Sequence, residues 1–284
     1  MKNIIITTDS TSDLPKELIE KYDIKVLPLS IVSDTDSKKD GVEITPKDVF
    51  EYQRKNGKLL KTAAANMVEW GEFFDSFGEN DGIINFTLSS EMSSTFTNSK
   101  VAASERENVY TIDSHNLSTG IGLLILTACD LREQGLSAKE IYEKIESLKP
   151  YVRSSFVIDT LEFLHKGGRC SAVAALGANL LKLKPCIEVA DGKMGVSKKY
   201  RGKITDVIRN YVKDKLADYD KINPDKVFIT HTMDDENMFI VDEMVKFVKD
   251  NYDFKNVYTS TAGCAISVHC GPNTLGILYI DKEA

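Results

Sequence analysis

The sequence predicts an α/β fold with two domains, and three observations lead to this prediction. Apolar, β-branched runs alternate with helix-like segments through the first half of the chain, which is typical of a parallel sheet covered by helices. The second half contains strand-like runs joined by a tight turn and mixed with helices, which indicates a mixed sheet. The length of 284 residues exceeds that of a typical single domain. We therefore expect an N-terminal parallel α/β domain over residues 1–150 and a C-terminal mixed-sheet α/β domain over residues 151–284.

The N-terminal domain is expected to begin with a buried strand over residues 4–8, because this run is apolar and β-branched. The strand leads into a loop of hydroxyls and carboxylates, and Pro15 suits the first turn of a helix. Open α/β sheets bind ligands at such loops, although Ser12 or Asp13 could instead simply cap the helix. Further strands are predicted at 25–32, 82–88 and 109–113, and further helices beginning near Thr45, Asn66, Thr95 and Ser137.

The C-terminal domain, expected to begin near Pro150, contains a predicted hairpin, since Asp191-Gly192 is a tight-turn pair between the strand-like residues 185–189 and 194–196. The hydrophobic spacing then predicts a helix at 204–216, a strand at 227–231 and a helix at 238–248. The last predicted strands are 257–260, 265–268 and 275–280.

Composition argues against several classes of function. A net charge of −7 is opposite to the basic surface of a general nucleic-acid binder. No run approaches the roughly 18 apolar residues of a membrane span, and residues 4–6 are too short for a signal peptide, so we expect a cytoplasmic protein without stable membrane insertion. Five cysteines without a Cys-x-x-Cys pair argue against a disulfide framework or a zinc site. A Walker loop is absent, so ATP is not expected to bind by that route.

Polar residues near predicted strand ends form the candidate site. They are Asp9 and Ser10 after the first strand, Thr62 after a short apolar run, Ser93 after the strand at 82–88, and His269 in a turn predicted to follow a buried strand. The carboxyl ends of parallel strands lie at one edge of a sheet, so several of these side chains should lie close together. Each also has a plain structural interpretation: a helix cap for Ser93, a loop hydroxyl for Thr62 and a hydrogen-bonded strand-end residue for His269.

Five segments in order across nearly the whole chain resemble the DegV family. They are residues 8–15 (TDSTSDLP), 60–62 (LKT), 89–96 (SSEMSSTF), 160–169 (TLEFLHKGGR) and 268–276 (VHCGPNTLG). Members of this family bind one long-chain fatty acid and, where the partner exists, present it to a fatty acid kinase, a step of phospholipid metabolism. The resemblance therefore implies a lipid-carrier subunit that is not itself an enzyme. It implies a fatty acid as ligand, neither cofactor nor metal, and a buried tunnel between the two domains.

The resemblance also assigns roles to individual residues. It implies that the fatty acid carboxylate is bound by Thr62, Ser93 and His269, with Asp9, Ser10, Ser94 and Gly271 near the head group, and that Arg169 and Arg201 dock the kinase. The chain departs from the usual family pattern at three places: Ala63-Ala64-Ala65-Asn66 follows Thr62, Ser94 replaces a glycine, and Cys270 stands where threonine is common.

Two other functions stay open at this point. One is a small-molecule kinase-like or hydrolytic enzyme that uses Asp9 and His269, and the other is a lipid-responsive regulatory protein. A catalytic pair of Cys270 and His269 lacks a third, orienting group. Residues 173–183 and 121–126 are candidates for lining the tunnel, with ordinary core packing as the alternative.

Overall fold

The first half of the chain forms the expected parallel sheet in a computed structural model that describes residues 3–78, 81–171 and 183–283. Its strands, in the spatial order β2-β1-β6-β7, are β1 (Ile4–Asp9), β2 (Lys25–Leu27), β6 (Gly82–Thr87) and β7 (Val109–Asp113). The helices of this half are α1 (Lys16–Tyr22), α2 (Pro46–Asn56), α3 (Met67–Asp75), α4 (Thr95–Ala103), α5 (Thr119–Glu133) and α6 (Ala138–Leu148). Alternate residues of β1 face opposite layers: Ile4 and Ile6 pack with α1 and α5, whereas Ile5 packs with α3 and α4.

The second half forms the expected mixed sheet of six strands. In the spatial order β10-β9-β8-β13-β11-β12, they are β8 (Val152–Val157), β9 (Leu183–Ala190), β10 (Lys193–Arg201), β11 (Ile222–His231), β12 (Asn256–Thr261) and β13 (Leu275–Asp281). Only β11 and β12 pair in parallel among the described strands of this sheet. The predicted hairpin joins β9 to β10, and Asp191 and Gly192 both have the positive φ of its turn.

A small antiparallel sheet that the sequence did not predict lies beside these two. Its strands, in the spatial order β4-β3-β5, are β3 (Ser30–Val32), β4 (Ser37–Lys39) and β5 (Lys61–Ala63). The single strand expected over 25–32 is divided at Pro28, so that β2 joins the parallel sheet and β3 joins the small one. Proline cannot continue the hydrogen-bond ladder of a strand, and the chain changes sheets there.

Helix α5 lies between the two large sheets. Ten of its fifteen residues are buried, and its apolar side chains share one core with Phe86 of β6, Phe228 of β11 and Leu278 of β13. Every strand of the parallel sheet precedes Pro150, and every strand of the mixed sheet follows it. The division into domains at Pro150 stays a prediction, and the two halves share this buried core.

The remaining α-helices given for the described residues are α7 (Glu162–Gly167), α8 (Ile204–Lys215), α9 (Phe239–Asn251) and α10 (Cys264–Cys270). The strand predicted at 265–268 is wrong, because these residues form α10. Ile266 and Val268 have the branched side chains that favour strands, but buried carboxylates of Asp13 and Asp40 accept the first backbone N–H groups of this helix. Tertiary contacts thus override local propensity. Across the described part of the chain, no helix combines the length and the apolarity needed to cross a bilayer.

Candidate functional site

A cavity of about 250 Å³ lies between the parallel sheet, the mixed sheet and α10. Loops at the carboxyl ends of β1, β6 and β7 contribute Thr11, Ser93 and Ser118 to its wall. This position agrees with the expectation that ligand-binding groups lie at the carboxyl edge of the parallel sheet. The cavity reaches the surface at Ala63, Ser94 and Arg169, which are exposed.

Most of the cavity wall is apolar. Its larger apolar side chains are Leu29, Leu88, Met92, Leu117, Phe156, Leu164, Met194, Ile266 and Leu278. Strand β13 shows how the sheet supplies them: Gly276 and Leu278 line the cavity, whereas Ile277 and Tyr279 face the core under α8 and α9. An apolar wall with a few polar groups is the general character of a small-molecule site.

The structure brings Thr62, Ser93 and His269 to the same cavity. Thr62 Oγ1 and His269 Nε2 are 3.1 Å apart and hydrogen-bonded. Ser93 Oγ lies 2.8 Å from Thr95 Oγ1 and accepts a hydrogen bond from the Thr95 backbone N–H at 3.2 Å, so this hydroxyl both lines the cavity and supports the start of α4.

Two local expectations about these residues are wrong. Thr62 is not in a loop but in the middle of β5, and His269 is not in a turn after a strand but in the last turn of α10. The small sheet and α10 therefore hold the two side chains from regular elements on either side, which orders them more firmly than loops would.

His269 is neutral over the ordinary pH range. Burial first, and then the positive charge of Arg169, lower the pKa of its imidazole from 6.5 to about 4. The Nδ1 atom is buried without a hydrogen-bond partner among the described residues, and it packs against Gly167, where any Cβ would overlap it. The ring is thus fixed on one side by Gly167 and on the other by Thr62.

The other predicted head-group residues divide into two sets. Ser94 lines the cavity, whereas Asp9, Ser10 and Gly271 do not. Gly271 has a φ of 75°, its added Cβ would overlap Phe163, and its carbonyl accepts a hydrogen bond from Thr232 at 2.6 Å. It shapes the turn after α10 rather than the cavity wall.

Asp9 and Asp13 act inside the protein rather than in the cavity. The carboxylate of Asp9 accepts hydrogen bonds from the backbone N–H groups of Thr11 at 2.8 Å and Leu88 at 2.9 Å, and burial raises its pKa. Asp13 accepts from Ser118 Oγ at 2.5 Å, so the idea that it caps α1 is wrong; α1 has no side-chain cap. An enzyme site built on Asp9 and His269 therefore lacks its carboxylate at the cavity wall.

The two arginines expected to dock a partner differ in position. Arg169 lines the cavity near His269, is exposed, and donates a hydrogen bond to the Gly167 carbonyl at 2.7 Å. Arg201 ends β10, is exposed, and does not line the cavity. In the basic run around Arg201, Lys198 is already paired with Asp214 at 2.5 Å.

Of the two tunnel candidates from the sequence, residues 121–126 do not line the cavity, and only Leu183 of residues 173–183 is described. The side chains of residues 121–126 are core rather than wall, because α5 is enclosed by both large sheets. Residues 173–182 of the other candidate lie outside the described residues, and Leu183 is the first residue of β9. Cys270 lines the cavity, but burial raises the pKa of its thiol to about 12, which disfavours the thiolate that a catalytic Cys/His pair needs.

Six hydroxyl residues of the cavity wall were not singled out from the sequence: Thr11, Ser118, Ser155, Thr230, Thr232 and Thr274. Thr11 lies within the polar loop after the first strand, and Thr230 is in β11, one residue before its end. Ser118 ends the loop between β7 and the apolar helix α5. The signal that could have found Thr11 and Ser118 is the position of polar residues directly after buried strands.

Comparisons with known proteins identify the family of this chain. The family model described as "Uncharacterised protein, DegV family" matches residues 3–282. A DegV domain-containing protein of Caldanaerobacter subterraneus is 31% identical over 99% of this chain and 100% of its own length. Protein DegV of Bacillus subtilis is 30% identical over the same shares.

Solved structures show the same fold. One is a DegV family protein from Thermus thermophilus for which fatty acid binding is described. It superposes with a TM-score of 0.89 at 25% identity, covering 99% of this chain and 100% of that one. DegV from Bacillus subtilis, described as a fatty acid binding protein, gives 0.86 at 28% identity over the same shares. A stearic acid-binding protein from Eubacterium ventriosum gives 0.82 at 26% identity, covering 99% of each chain. The chain belongs to the DegV family.

Proposed function

We propose that this protein binds one long-chain fatty acid in the cavity and presents its carboxylate to a partner fatty acid kinase. The observation that carries the proposal is the Thr62–His269 hydrogen bond in the wall of a largely apolar cavity that Ser93 also lines. Relatives of the same fold that are described as binding fatty acids, among them the Thermus thermophilus and Bacillus subtilis proteins, support it.

The apolar wall supplies most of the affinity in this proposal. Each buried CH₂ group contributes about 0.8 kcal/mol, so an acyl chain of about sixteen carbons outweighs any single polar contact. In this proposal the polar groups Thr62, Ser93 and His269 select a carboxylate and fix its position. Wall residues from both halves of the chain, such as Leu117 and Phe156, would hold the acyl chain between the two large sheets.

Neutral donors bind the carboxylate in this arrangement. A neutral His269 carries one ring proton. When this proton is on Nε2, the ring donates a hydrogen bond to Thr62 Oγ1. The Thr62 hydroxyl can then donate its own proton to the carboxylate. Ser93 supplies a second hydroxyl. Neutral donors leave the carboxylate oxygens nucleophilic, whereas a bidentate bond from an arginine would stabilise the ground state.

The chemical step belongs to the partner. One carboxylate oxygen attacks the γ-phosphorus of ATP held by the kinase, the bond to the β-phosphate oxygen breaks, and acyl phosphate and ADP result. Arg169 lies at the cavity opening, and we propose that it and Arg201 contact the kinase in the cytoplasm. The protein itself is then a substrate carrier without a cofactor.

Mass spectrometry of an organic extract tests the binding step. Protein purified without added lipid should release a fatty acid near one equivalent, and the spectrum gives its chain length and unsaturation. Absence of lipid, repeated after incubation with a panel of free fatty acids, would refute the proposal. Adding a fatty acid kinase and ATP tests the second step: bound lipid without acyl phosphate would refute the carrier role and leave a lipid-responsive regulator.

A further inference from the structure

A buried carboxylate outside the cavity connects the elements that carry the head-group residues. Asp40 follows β4, is 4% exposed and is absent from the cavity wall. Its Oδ1 accepts the backbone N–H of Cys264 at 2.9 Å, and its Oδ2 accepts the N–H of Ala265 at 3.1 Å. Its Oδ2 also accepts the hydroxyl of Ser10 at 2.9 Å. Both oxygens are therefore used, and two of the three bonds hold the start of α10.

The same residue is tied to the small sheet. The Asp40 backbone N–H donates to the Leu29 carbonyl at 2.9 Å, directly before β3. Within the sheet, Ile31 of β3 pairs with Thr62 of β5. One path from Asp40 thus leads through β3 to Thr62, and another leads through α10 to His269.

We propose that Asp40 is a positioning residue for the fatty acid head group. By joining the start of α10 to the small sheet, it sets the separation of Thr62 and His269. Helix α10 has only seven residues and rises about 1.5 Å per residue, so a displacement at Cys264 is carried directly to His269. This inference rests on the proposed function, since it concerns recognition of the carboxylate.

Asp13 provides a matched control, because it also holds the segment at the start of α10. Its Oδ1 accepts the N–H of Gly263 at 2.8 Å, and its Oδ2 accepts the Ser118 hydroxyl at 2.5 Å. In Asp13→Asn, the amide oxygen still accepts the hydrogen bond from the Gly263 N–H. The amide NH₂ donates to the Ser118 hydroxyl, which can accept as well as donate.

Asp40→Asn has no such solution. Whichever way the amide is oriented, its NH₂ group faces the N–H of either Cys264 or Ala265. One buried backbone donor then loses its acceptor, and α10 must move to relieve two donors facing each other.

The test is the ratio of affinities for palmitate and hexadecanol, two ligands that share a chain and differ in the head group. The wild type should prefer the acid. Asp40→Asn should reduce this preference about tenfold, equivalent to about 1.4 kcal/mol, while Asp13→Asn should keep it within about twofold. If Asp40 had only a structural role, Asp40→Asn would weaken the binding of both ligands alike and leave the ratio of affinities unchanged.

The outcomes separate the inference from the proposed function. A wild type without preference for the acid refutes the proposed function and this inference with it. If the wild type prefers palmitate and this preference survives in Asp40→Asn, or falls equally in Asp13→Asn, the positioning role of Asp40 is refuted. The proposed function is not affected by that result. If Asp40→Asn does not fold, Asp40→Glu keeps both carboxylate oxygens but places them one CH₂ group further from the backbone, which displaces the start of α10. A reduced ratio there supports the inference, and an unchanged ratio overturns it.

Discussion

Lowering the pH from 7 to 4 should destabilise the fatty-acid-free protein through His269. Burial and the charge of Arg169 hold the pKa of His269 at about 4, against 6.5 in an unfolded chain. Between these two values the unfolded protein binds a proton at this ring and the native protein does not. The stability present above pH 6.5 is therefore lost as the pH falls towards 4.

The size of the effect follows from the same two pKa values. At about 1.4 kcal/mol per pKa unit, the shift from 6.5 to about 4 corresponds to a loss of about 3 kcal/mol. That is a large fraction of the 5–15 kcal/mol typical of a folded protein. It should be visible as a lower urea midpoint at pH 4.5 than at pH 7.

The assay compares urea unfolding of the wild type and His269→Gln from pH 7 to pH 4. The comparison is needed because burial raises the pKa values of Asp9 and Asp13, whose native forms hold protons longer than their unfolded forms and so change stability in the opposite direction. Glutamine keeps a neutral donor towards Thr62 but does not titrate. Subtracting the two profiles isolates the imidazole.

The wild type should lose about 3 kcal/mol relative to His269→Gln over this range. Parallel profiles for the two proteins would show that His269 titrates normally in the native state, and would refute both its burial as a neutral ring and the electrostatic influence of Arg169. In Arg169→Gln the loss should be smaller, because one of the two causes of the lowered pKa is removed.

Three further predictions concern the head group and the partner. Thr62→Val removes one donor and should weaken palmitate binding about tenfold or more by calorimetry, with hexadecanol affected less; equal effects would place the carboxylate elsewhere. Ser93→Ala should lower acyl phosphate formation while the circular dichroism spectrum stays unchanged. The control is Ser90→Ala, at an exposed position outside the cavity wall. Unaltered acyl phosphate formation in Ser93→Ala would show that this hydroxyl is not part of the site. Arg201→Glu should reduce the rate of acyl phosphate formation by the kinase several-fold, because Arg201 is exposed and available to a partner. The affinity for fatty acid should stay unchanged, because Arg201 does not line the cavity. Acyl phosphate formation at the wild-type rate would exclude Arg201 from docking.

Local signals in the sequence were sufficient for most of the fold. An N-cap residue followed by proline predicted where α2 begins, at Thr45, and a capping box predicted where α6 begins, at Ser137; both helices begin there. The Asp191-Gly192 turn predicted the β9–β10 hairpin, and the alternation of strands and helices predicted the parallel sheet. These features depend on residues a few positions apart, so they can be read without knowing what the chain packs against.

The ordered motifs were sufficient to identify the family, and the family model confirms this over residues 3–282. They also named Thr62, Ser93 and His269, which the structure brings to one cavity. The resemblance to the family carried this information, whereas the local structure expected around Thr62 and His269 was wrong.

Tertiary structure alone decided how the site is assembled. Residues 265–268 have strand-like side chains, yet they form a helix because carboxylates about 220 to 250 residues earlier accept its first N–H groups. The small sheet that carries Thr62 forms only when β3 separates from β2 at Pro28. The cavity wall combines side chains from both halves of the chain, and residues 121–126 are excluded from it because α5 is enclosed by two sheets. The sequence determined the elements and the chemical groups, since these follow from local patterns; the position of those groups follows from contacts between distant segments, which exist only in the folded chain.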